Sequence, residues 1–336
     1  MRVGLAFNLK RVKPKAGGTH DEEAEYDAPS TIEAIAEAIA SLGHDVALLE
    51  ADATFPAAVL GARVDVVFNV SEGASGRGRE AQVPAVLELF GVPYTGSDPA
   101  ALVTTLDKAV AKGIVRDAGI YTPSAVVMTS GEEPLPAGFV FPAIVKPVAE
   151  GSSKGVLPAS VAASEDEARA LARQLAARYA QGALVEEYLP GRELTVAILG
   201  DTVLPPMEIV LRTKDPFPVY SFDHKLEPTD EVAYEVPAQI PSELDREIRD
   251  LAARAFAALG CRDVARIDVR LDAAGRPAFI ECNPLPGLTP GWSDLCLIAE
   301  AAGIDYTTLI RRILEPAARR ARKAALPERE GAFLSL

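Results

Sequence analysis

The sequence predicts a chain of mixed α/β and α+β class, with an N-terminal parallel α/β domain followed by two α+β units. The first hundred residues alternate buried-strand patterns with amphipathic helix patterns, which is typical of a parallel sheet covered by helices. From Thr104 onward the order changes, and helices lie between shorter, less regular strand segments. The chain has 336 residues, of which 49% are apolar, so it is long enough for two or three domains with separate cores.

The N-terminal domain is expected over residues 1–103. Its strands are predicted at "RVGLAFNL", "DVALLEA" and "VDVVFNV". Helices are predicted at "PSTIEAIAEAIASLG", ending at Gly43, and at "AQVPAVLELFG", ending at Gly91. Between the first strand and the first helix lies the long polar segment "KRVKPKAGGTHDEEAEYDA". Loops of that length inside compact domains are usually functional or mobile, so this segment is a candidate functional loop.

Two further units and a tail are expected over residues 104–189, 190–320 and 321–336. The central unit combines the helix "TLDKAVAKGIVRDAG", the segment "FPAIVKPVAEGSSKGV", the helix "SEDEARALARQLAARYA" and the strand "ALVEEYL". The next unit begins with the strand "RELTVAILGD" and continues through a long irregular stretch from Leu204 to Val236. It ends with the helix "PSELDREIRDLAARAFAALG" and two strands joined by a turn.

Composition argues against several classes of partner. The formal net charge is -14, whereas a nucleic-acid-binding protein generally presents a basic face, so no nucleic-acid partner is expected. No run approaches the roughly 18 consecutive apolar residues of a membrane span, and the N-terminus has the pattern of a strand and not of a signal peptide. The three cysteines match no zinc spacing and, being odd in number, no disulfide framework. A cytoplasmic location without a membrane partner is therefore expected.

The segment "VARIDVRLDAAGRPAFIECNP" predicts a hairpin with its turn at Ala274–Gly275. In a hairpin centred there, Asp268 lies opposite Glu281 and Arg266 lies opposite Asn283, because the members of each pair are equally far from the turn. Side chains alternate between faces along a strand, so these four share one face. The other face is then apolar, with Ile267 opposite Cys282 and Val269 opposite Ile280.

The opposed carboxylates on this hairpin predict a metal site. Two directly opposed carboxylates repel each other, which destabilises a hairpin that serves the fold alone. A divalent cation reverses that effect. Asp268, Glu281 and Asn283 offer three oxygen ligands, the type that Mg²⁺ prefers, and Mg²⁺ usually completes its shell with water and phosphate. A solvated face with ordinary charges is the alternative.

Two other segments have features of a nucleotide site. In "IVKPVAEGSSKGV", Lys146 ends a β-branched run, and the backbone N–H groups of the Gly/Ser-rich loop that follows can cradle phosphate oxygens. The spacing does not match a Walker A motif, and a simple hairpin turn is the alternative. In "ALVEEYLPGREL", a strand with Glu186 and Glu187 leads to Glu193. The backbone groups at the edge of this strand can pair with adenine, and Glu193 can bind the ribose hydroxyls. The alternative is a surface strand with solvated acids.

Taken together, these segments resemble the ATP-grasp superfamily and, within it, the D-alanine–D-alanine ligase family. The matching text covers most of the chain after about Ala81. It includes "LELFGVPYTGSDPAALVTTLDK", "FPAIVKPVAEGSSKGV", "LVEEYLPGRELTVAILGD", "LGCRDVARIDVRLD" and "IECNPLPGLTP", in the family's order. The resemblance implies a three-domain ATP-grasp architecture, a homodimer, and ATP-dependent formation of an amide bond through an acyl phosphate. Its substrates would be amino acids or other small carboxylates and amines.

The resemblance also implies an ATP site and two Mg²⁺ ions, with Mn²⁺ as an alternative ion. ATP would lie between the central and C-terminal units, and the metal ions would be held by the hairpin residues named above. The residues implied for ATP are Lys108, Lys146, Glu150, Gly151, Ser152, Ser153, Glu186, Glu187, Leu189 and Glu193.

Three catalytic residues are implied in the same way. Arg266 and the backbone N–H of Gly287 would stabilise the oxyanion of the tetrahedral intermediate. Lys225, in "LRTKDPFPVYSFDHKLEP", would belong to a lid over the site, because an acyl phosphate must be protected from water.

Two departures from the family pattern concern the first substrate. The segment "LKRVKPKAGGTHDEEAEYDAP" replaces a glycine-rich loop that leads to an amine-binding glutamate, and Glu22, Glu23 and Glu25 are all candidates for that role. The segment "NVSEGASGRGREA" adds Arg77 and Arg79 near the same site.

A third departure concerns the second substrate. The family has a Ser-Leu pair that grips a carboxylate, whereas "GLTPGWSDL" places Trp292, Ser293 and Asp294 there. A bulky ring and an acid suit a larger or amine-bearing acceptor better than a small amino acid. One alternative function is therefore a ligase of the same family that joins a different amino acid or a secondary-metabolite carboxylate to an amine. The other alternative is a nucleotide-binding protein without turnover.

Overall fold

The N-terminal sheet has three parallel strands. The computed structural model describes residues 1–12, 21–226 and 230–325. The strands are β1 (Arg2–Phe7), β2 (Asp45–Glu50) and β3 (Val66–Asn69), in the order β2-β1-β3. Neighbouring side chains pack closely against β1 at Gly4, where a Cβ would lie 2.7 Å from Leu49 Cδ1. The predicted parallel sheet is confirmed, and residues 13–20 of the predicted functional loop lie outside the described residues.

Five helices accompany this sheet and its continuation. They are α1 (Pro29–Ser41), α2 (Phe55–Ala62), α3 (Gln82–Leu89), α4 (Pro99–Leu106) and α5 (Lys108–Asp117). The prediction of one helix beginning at Thr105 was wrong. The chain leaves the helical conformation at Asp107, whose side chain accepts hydrogen bonds from the N–H groups of Ala109 and Val110 and thereby caps α5. This break places Lys108 at the first position of α5.

The central sheet is antiparallel and has four strands. They are β4 (Ala125–Met128), β5 (Ala143–Pro147), β6 (Val161–Ala162) and β7 (Ala183–Glu187), in the order β4-β7-β5-β6. Helix α6 (Glu165–Tyr179) packs across it and begins after Ser164, whose hydroxyl accepts a hydrogen bond from the Glu167 N–H. Because β5 and β7 are neighbours, Lys146 and Glu186 come close together.

The C-terminal sheet has six strands. They are β8 (Glu193–Leu199), β9 (Thr202–Val203), β10 (Met207–Leu211), β11 (Val232–Glu235), β12 (Val264–Leu271) and β13 (Pro277–Asn283). The main path runs β11-β10-β8-β12-β13, and β9 pairs with β8. The stretch 204–236 was expected to be irregular, but it contains β10, β11 and the short helix α7 (Phe222–Leu226). These elements are short, so their own sequence patterns are weak, and sheet pairing stabilises the two strands, β10 against β8 and β11 against β10.

Three more helices complete the described chain. They are α8 (Ser242–Ala258), α9 (Asp294–Ala301) and α10 (Tyr306–Ala325). Helix α8 covers the apolar face of the hairpin, and α10 returns to pack against α1. One core therefore runs from the N-terminal sheet, at Leu5 and Ile35, to Ile310 of α10. No helix of the described residues is long and apolar enough to cross a membrane.

Candidate active site

Two adjoining cavities lie between the three sheets. The main cavity, of about 1020 Å³, runs from the N-terminal unit to the hairpin β12–β13 and the segment that follows it. The slot, of about 90 Å³, lies between the central and C-terminal sheets. The residues that line both are Lys108, Glu150, Tyr220, Lys225, Arg266, Glu281 and Asp294. Most of these were predicted site residues, and they meet where the two cavities join.

The hairpin pairs as predicted at the end that faces the cavities. Arg266 lies opposite Asn283, and Asp268 lies opposite Glu281. Ile267 also lies opposite Cys282, on the apolar face. The three oxygen-bearing side chains of the predicted metal site therefore share one face of the sheet.

Towards the turn, the predicted pairing was wrong. Val269 lies opposite Phe279 and not opposite Ile280. The turn is centred on Ala274, because the Asp272 side chain accepts hydrogen bonds from the N–H groups of Ala274 and Arg276. Ile280 is then an extra residue that shifts the register by one, as in a β-bulge, and it lines the slot instead of the core.

Both opposed carboxylates have cationic neighbours. Arg266 Nε lies 2.9 Å from Asp268 Oδ1, and Lys108 Nζ lies 3.3 Å from Glu281 Oε2. Burial would raise the pKa of Glu281, but Lys108 and Lys146 outweigh that effect, with Lys225 and Arg266 adding to it, and hold the pKa at about 2. Glu281 is therefore charged at neutral pH.

The donor set of this face fits Mg²⁺. Within residues 1–12, 21–226 and 230–325, no three His, Cys, Asp or Glu side chains converge on one point. The face instead offers two carboxylates and the Asn283 amide, whose Oδ1 accepts a hydrogen bond from the Leu285 N–H at 3.2 Å. Mg²⁺ commonly takes one or two carboxylates and completes its shell with phosphate and water. The lysines around Glu281 supply the positive charge that a phosphate chain also needs.

A buried ion-pair network forms the floor of the slot. Glu186 is 2% exposed, and its two oxygens lie 3.2 Å from Lys146 Nζ and 2.6 Å from Lys112 Nζ. Lys112 also donates to Thr122 Oγ1 at 2.8 Å. Burial lowers the pKa of Lys112 to about 8 although Glu186 opposes the shift. Lys112 was not predicted, although it follows Lys108 by four residues on one helix face, which was the available signal.

We expect Lys112→Met to lower the free energy of unfolding by about 3 kcal/mol, because it leaves the buried Glu186 with Lys146 as its remaining partner. Urea denaturation measures the change. Arg116→Met, at an exposed position one turn later on α5, is the matched control and should change stability by about 0.5 kcal/mol or less. Equal effects of the two substitutions would show that the network does not stabilise the fold.

Strand β7, whose edge was predicted to meet adenine, borders the slot at Glu186 and Glu187. Leu189 and Glu193 border it as well. The Glu187 carboxylate accepts hydrogen bonds from the N–H groups of Ser124 at 3.2 Å and Val140 at 3.1 Å. Its side chain therefore holds neighbouring chain segments. Burial raises the pKa of Glu193, against the opposing charge of Arg270.

The loop that follows β5 docks on the N-terminal unit. The Gly151 N–H donates to Glu25 Oε1 at 2.5 Å, and a Cβ on Gly151 would clash with that oxygen. Arg79 donates to both Glu25 oxygens at 2.9 Å. Lys154, which was not predicted, lies 2.6 Å from Glu150 Oε2. Ser152 lines the main cavity, and Ser153 lines the slot.

The structure distinguishes the three candidate glutamates of the predicted functional loop. Glu22 is exposed, and the Glu23 carboxylate accepts hydrogen bonds from the N–H groups of Arg11 and Val12. Glu25 is the one of the three that lines the main cavity.

Three further acids, none of them predicted, line the N-terminal end of the main cavity: Asp27, Glu72 and Glu80. Glu80 is 7% exposed, and its Oε2 has no hydrogen-bond partner within the described chain. Burial, followed by the nearby Glu25, raises the pKa of Glu80 to about 8. Burial also raises the pKa of Asp27 to about 7, and burial together with Glu80 raises the pKa of Glu72.

Glu80→Gln should stabilise the protein more at pH 8.5 than at pH 5. Since the folded pKa of Glu80 lies above its ordinary value of 4.5, the native state binds more protons than the unfolded state between about pH 4.5 and 8. Wild-type stability should fall across that window, at about 1.4 kcal/mol per unit of pKa shift, and the variant should lose the part of this dependence that Glu80 contributes, while Asp27 and Glu72 keep theirs. Urea unfolding at both pH values tests it, with the exposed Glu37→Gln as control. An equal stability difference at the two pH values would contradict the assignment.

The segment after the hairpin forms the far wall of the main cavity. A Cβ on Gly287 would lie 2.8 Å from Ser293 Oγ, so the chain is close-packed at the predicted oxyanion position. Arg266 Nη1 lies 3.1 Å from Asp294 Oδ2. Asp294, which was predicted at the acceptor site, therefore has its charge paired with Arg266. Trp292 is 42% exposed and lines the wall beside Ser293.

Lys225 lies in α7 and lines both cavities. Its Nζ is 4.9 Å from the centre of the Tyr220 ring. Burial alone would lower the pKa of Arg266, but Asp268 and Asp294 raise it. Neighbouring groups therefore hold Lys225 and Arg266 at the junction of the main cavity and the slot: the Tyr220 ring holds Lys225, and two carboxylates hold Arg266. The predicted lid extends to Pro228, and its residues 227 and 228 lie outside the described residues.

Comparisons with known proteins show the family of this chain. A family model described as D-ala D-ala ligase C-terminus matches residues 117–315. The uncharacterized protein y4sG of Sinorhizobium fredii is 37% identical over 299 residues, which cover 86% of this chain and 87% of that protein. D-alanine–D-alanine ligases of Bordetella petrii and Xanthomonas axonopodis pv. citri are 36% and 35% identical. These two matches cover 84% and 91% of this chain, and 85% and 94% of the respective relatives.

Solved structures show the same fold. The D-alanine–D-alanine ligase of Bacillus anthracis complexed with ATP matches with a TM-score of 0.73 and 23% identity, covering 96% of this chain and 99% of that one. A second crystal structure of that ligase matches with a TM-score of 0.75, 24% identity and the same coverage. The fold and these comparisons define an ATP-dependent ligase of ATP-grasp architecture. The chain belongs to the D-alanine–D-alanine ligase family.

Proposed function

We propose that the protein joins the carboxylate of one amino-acid-like substrate to the amine of a second, at the junction of the slot and the main cavity. The observation that carries this proposal is the opposed pair Asp268 and Glu281, with cations on both sides. A surface hairpin would not concentrate four cations around one half-buried carboxylate. Transfer of a phosphoryl group needs such positive charge, because negative charge spreads over the transferring group.

The slot is the proposed site of ATP. Its rim residues Leu189 and Glu193 would meet the nucleoside, and Lys108 and Lys146 would meet the phosphates. Asp268, Glu281 and Asn283 would hold Mg²⁺, which neutralises phosphate charge when it is bound. The loop of Glu150 to Ser153 would cover the phosphates, as its place between the two cavities allows.

The reaction would proceed in two steps. The donor carboxylate attacks the γ-phosphorus of ATP, so that the bond to the β-phosphate oxygen breaks and ADP leaves. The acceptor amine then attacks the acyl carbon, and phosphate leaves.

Arg266 has donor groups left for the oxyanion that forms in the second step. Three of its N–H groups are engaged, those of Nε and Nη2 by Asp268 and one of Nη1 by Asp294. A guanidinium has five N–H bonds, so two remain for the developing oxyanion, together with the Gly287 N–H.

The walls of the main cavity support a division between the two substrates. Glu25 would receive the donor ammonium at the N-terminal end. Trp292, beside Ser293 and Asp294, would face the acceptor. Trp292 and Tyr234 also line a third, mainly apolar cavity of about 520 Å³ that opens outward from the wall. This continuity favours an acceptor larger than alanine, although curated relatives are named D-alanine–D-alanine ligases.

A panel of amino acids and dipeptides, tested in pairs with ATP and Mg²⁺, tests the function. Substrate-dependent release of ADP and phosphate, with the product mass detected, is the expected result. If no pair in a broad panel stimulated release, the ligase proposal would fail and a nucleotide-binding protein without turnover would remain.

We also propose a cytoplasmic homodimer. Leu48, Leu60 and Leu89 are each more than half exposed, and all three belong to the N-terminal unit, which gives that unit apolar surface for a partner copy. Light scattering on the purified chain should give twice the mass of the 336-residue chain.

A further inference from the structure

The N-terminal end of the main cavity has more acidic groups than the described cations neutralise. The Glu25 carboxylate is held by Arg79, and the Glu150 carboxylate lies against Lys154. Lys10 faces Asp27 electrostatically, but burial lowers its pKa, and its Nζ donates to the Ala24 carbonyl. The cations near this end are therefore already engaged.

The charge of Arg79 acts on Glu72 and Glu80 from a distance, but neither has a cation in direct contact. Neither forms an ion pair within 4 Å of any cation in the described part of the chain. The Glu72 backbone N–H donates to Asn8 Oδ1 at 2.9 Å, which fixes its position on the cavity wall. Glu80 is 7% exposed and keeps an oxygen without a hydrogen-bond partner. Burying carboxyl groups without partners costs stability, and apolar side chains of similar size would avoid that cost.

Glu80 lies close to the proposed reacting position, and Glu72 lies close enough to Glu80 for their charges to interact. Glu80 and Lys108 are close enough for their charges to interact, and Lys108 contacts Glu281 of the hairpin. A donor whose carboxylate lies by Lys108 would therefore extend the rest of its structure towards Glu72 and Glu80. An ordinary α-amino acid brings one ammonium group, for which Glu25 is the proposed partner.

We propose that the donor substrate carries a second cationic group, as a diamino or guanidino carboxylic acid does, and that Glu72 and Glu80 bind that group. The inference rests on the proposed ligase function and specifies its donor. Binding of the cationic group displaces the proton that burial holds on Glu80 at neutral pH, and Glu72 and Glu80 discriminate against neutral side chains.

Trapping with hydroxylamine tests the donor without knowledge of the acceptor. With ATP and Mg²⁺, the enzyme converts a true donor into an acyl phosphate. The nitrogen of hydroxylamine then attacks the acyl carbon, phosphate leaves, and a hydroxamate is formed. The probes are matched pairs, ornithine with norvaline and lysine with norleucine, each as both enantiomers. Calorimetric binding of the same amino acids, without ATP, is a second readout that does not depend on turnover.

We expect at least one basic member to exceed its neutral partner by tenfold or more in kcat/KM for hydroxamate formation and in affinity. Glu72→Gln and Glu80→Gln should each bring that ratio towards one. Glu37→Gln, an exposed charge change on α1, should leave the ratio unchanged. Circular dichroism identifies a variant that fails to fold. In that case the ratio of the basic to the neutral donor, measured on the wild type, decides whether the inference holds.

Two outcomes overturn different claims. Hydroxamate formation from neutral donors at a rate equal to or above that of their basic partners overturns the inference and leaves the ligase function intact. Absence of hydroxamate from every donor, together with absence of ADP release in the broad substrate panel, overturns the ligase function itself.

Discussion

Glu281→Gln is expected to lower turnover on the order of 10³-fold, while the variant keeps its fold. The substitution removes one of the two opposed carboxylates proposed to hold Mg²⁺ and leaves an amide, which is a weaker ligand for a hard cation. It also removes one partner of Lys108, 3.3 Å away, and leaves the Glu150 carbonyl as the acceptor that holds that lysine. ADP release as a function of Mg²⁺ concentration is the measurement, and the concentration needed for half activity should rise.

Glu247→Gln, at an exposed position on α8, is the control for loss of one carboxylate. It should behave as the wild type does. Near-normal turnover of Glu281→Gln with unchanged Mg²⁺ dependence would overturn the metal assignment. Circular dichroism separates loss of the site from loss of the fold.

Arg266→Lys is expected to lower kcat by about 10²–10³-fold although the charge is kept. The planar guanidinium binds Asp268 through Nε and Nη2 and Asp294 through Nη1, and it still has N–H groups for the main cavity. A lysine has three donors at a single nitrogen and cannot span both carboxylates in this way. The loss should appear in kcat more than in the KM for ATP, because the N–H groups left over are proposed to act on the oxyanion.

Arg276→Lys is the matched control, since Arg276 lies at the turn of the same hairpin with its side chain 58% exposed. It should keep nearly full activity. If Arg266→Lys retained a kcat within a factor of three of that control, a role for Arg266 at the oxyanion would be untenable.

The hairpin shows how a correct site prediction can rest on a partly wrong local structure. The sequence predicted the pairs Asp268–Glu281 and Arg266–Asn283 from a turn at Ala274–Gly275. The turn is centred on Ala274 because Asp272 caps it, and the bulge at Ile280 compensates for the shift. Strand alternation is a local property and was predictable, whereas the bulge depends on how β13 packs in the sheet.

The buried partners of the site were harder to predict. Lys112 and Glu186 are far apart in sequence, and they meet because α5 packs beside the central sheet. The burial of Glu72 and Glu80 was equally hard to predict, because it arises where the N-terminal unit lines the main cavity. No periodicity in the sequence marks such groups, because their burial is produced by other elements.

The sequence by itself determined the class of fold, the face of the hairpin that holds acids and an amide, and the family motifs. Alternation of strand and helix patterns and the spacing within one hairpin are local, so a single chain segment contains them. The tertiary structure decided that Glu25 and not Glu22 or Glu23 lines the main cavity, that Arg266 neutralises Asp294, and that acids without partners gather at one end. Each of these facts depends on groups from different elements of the chain, and only the packing of those elements brings the groups together.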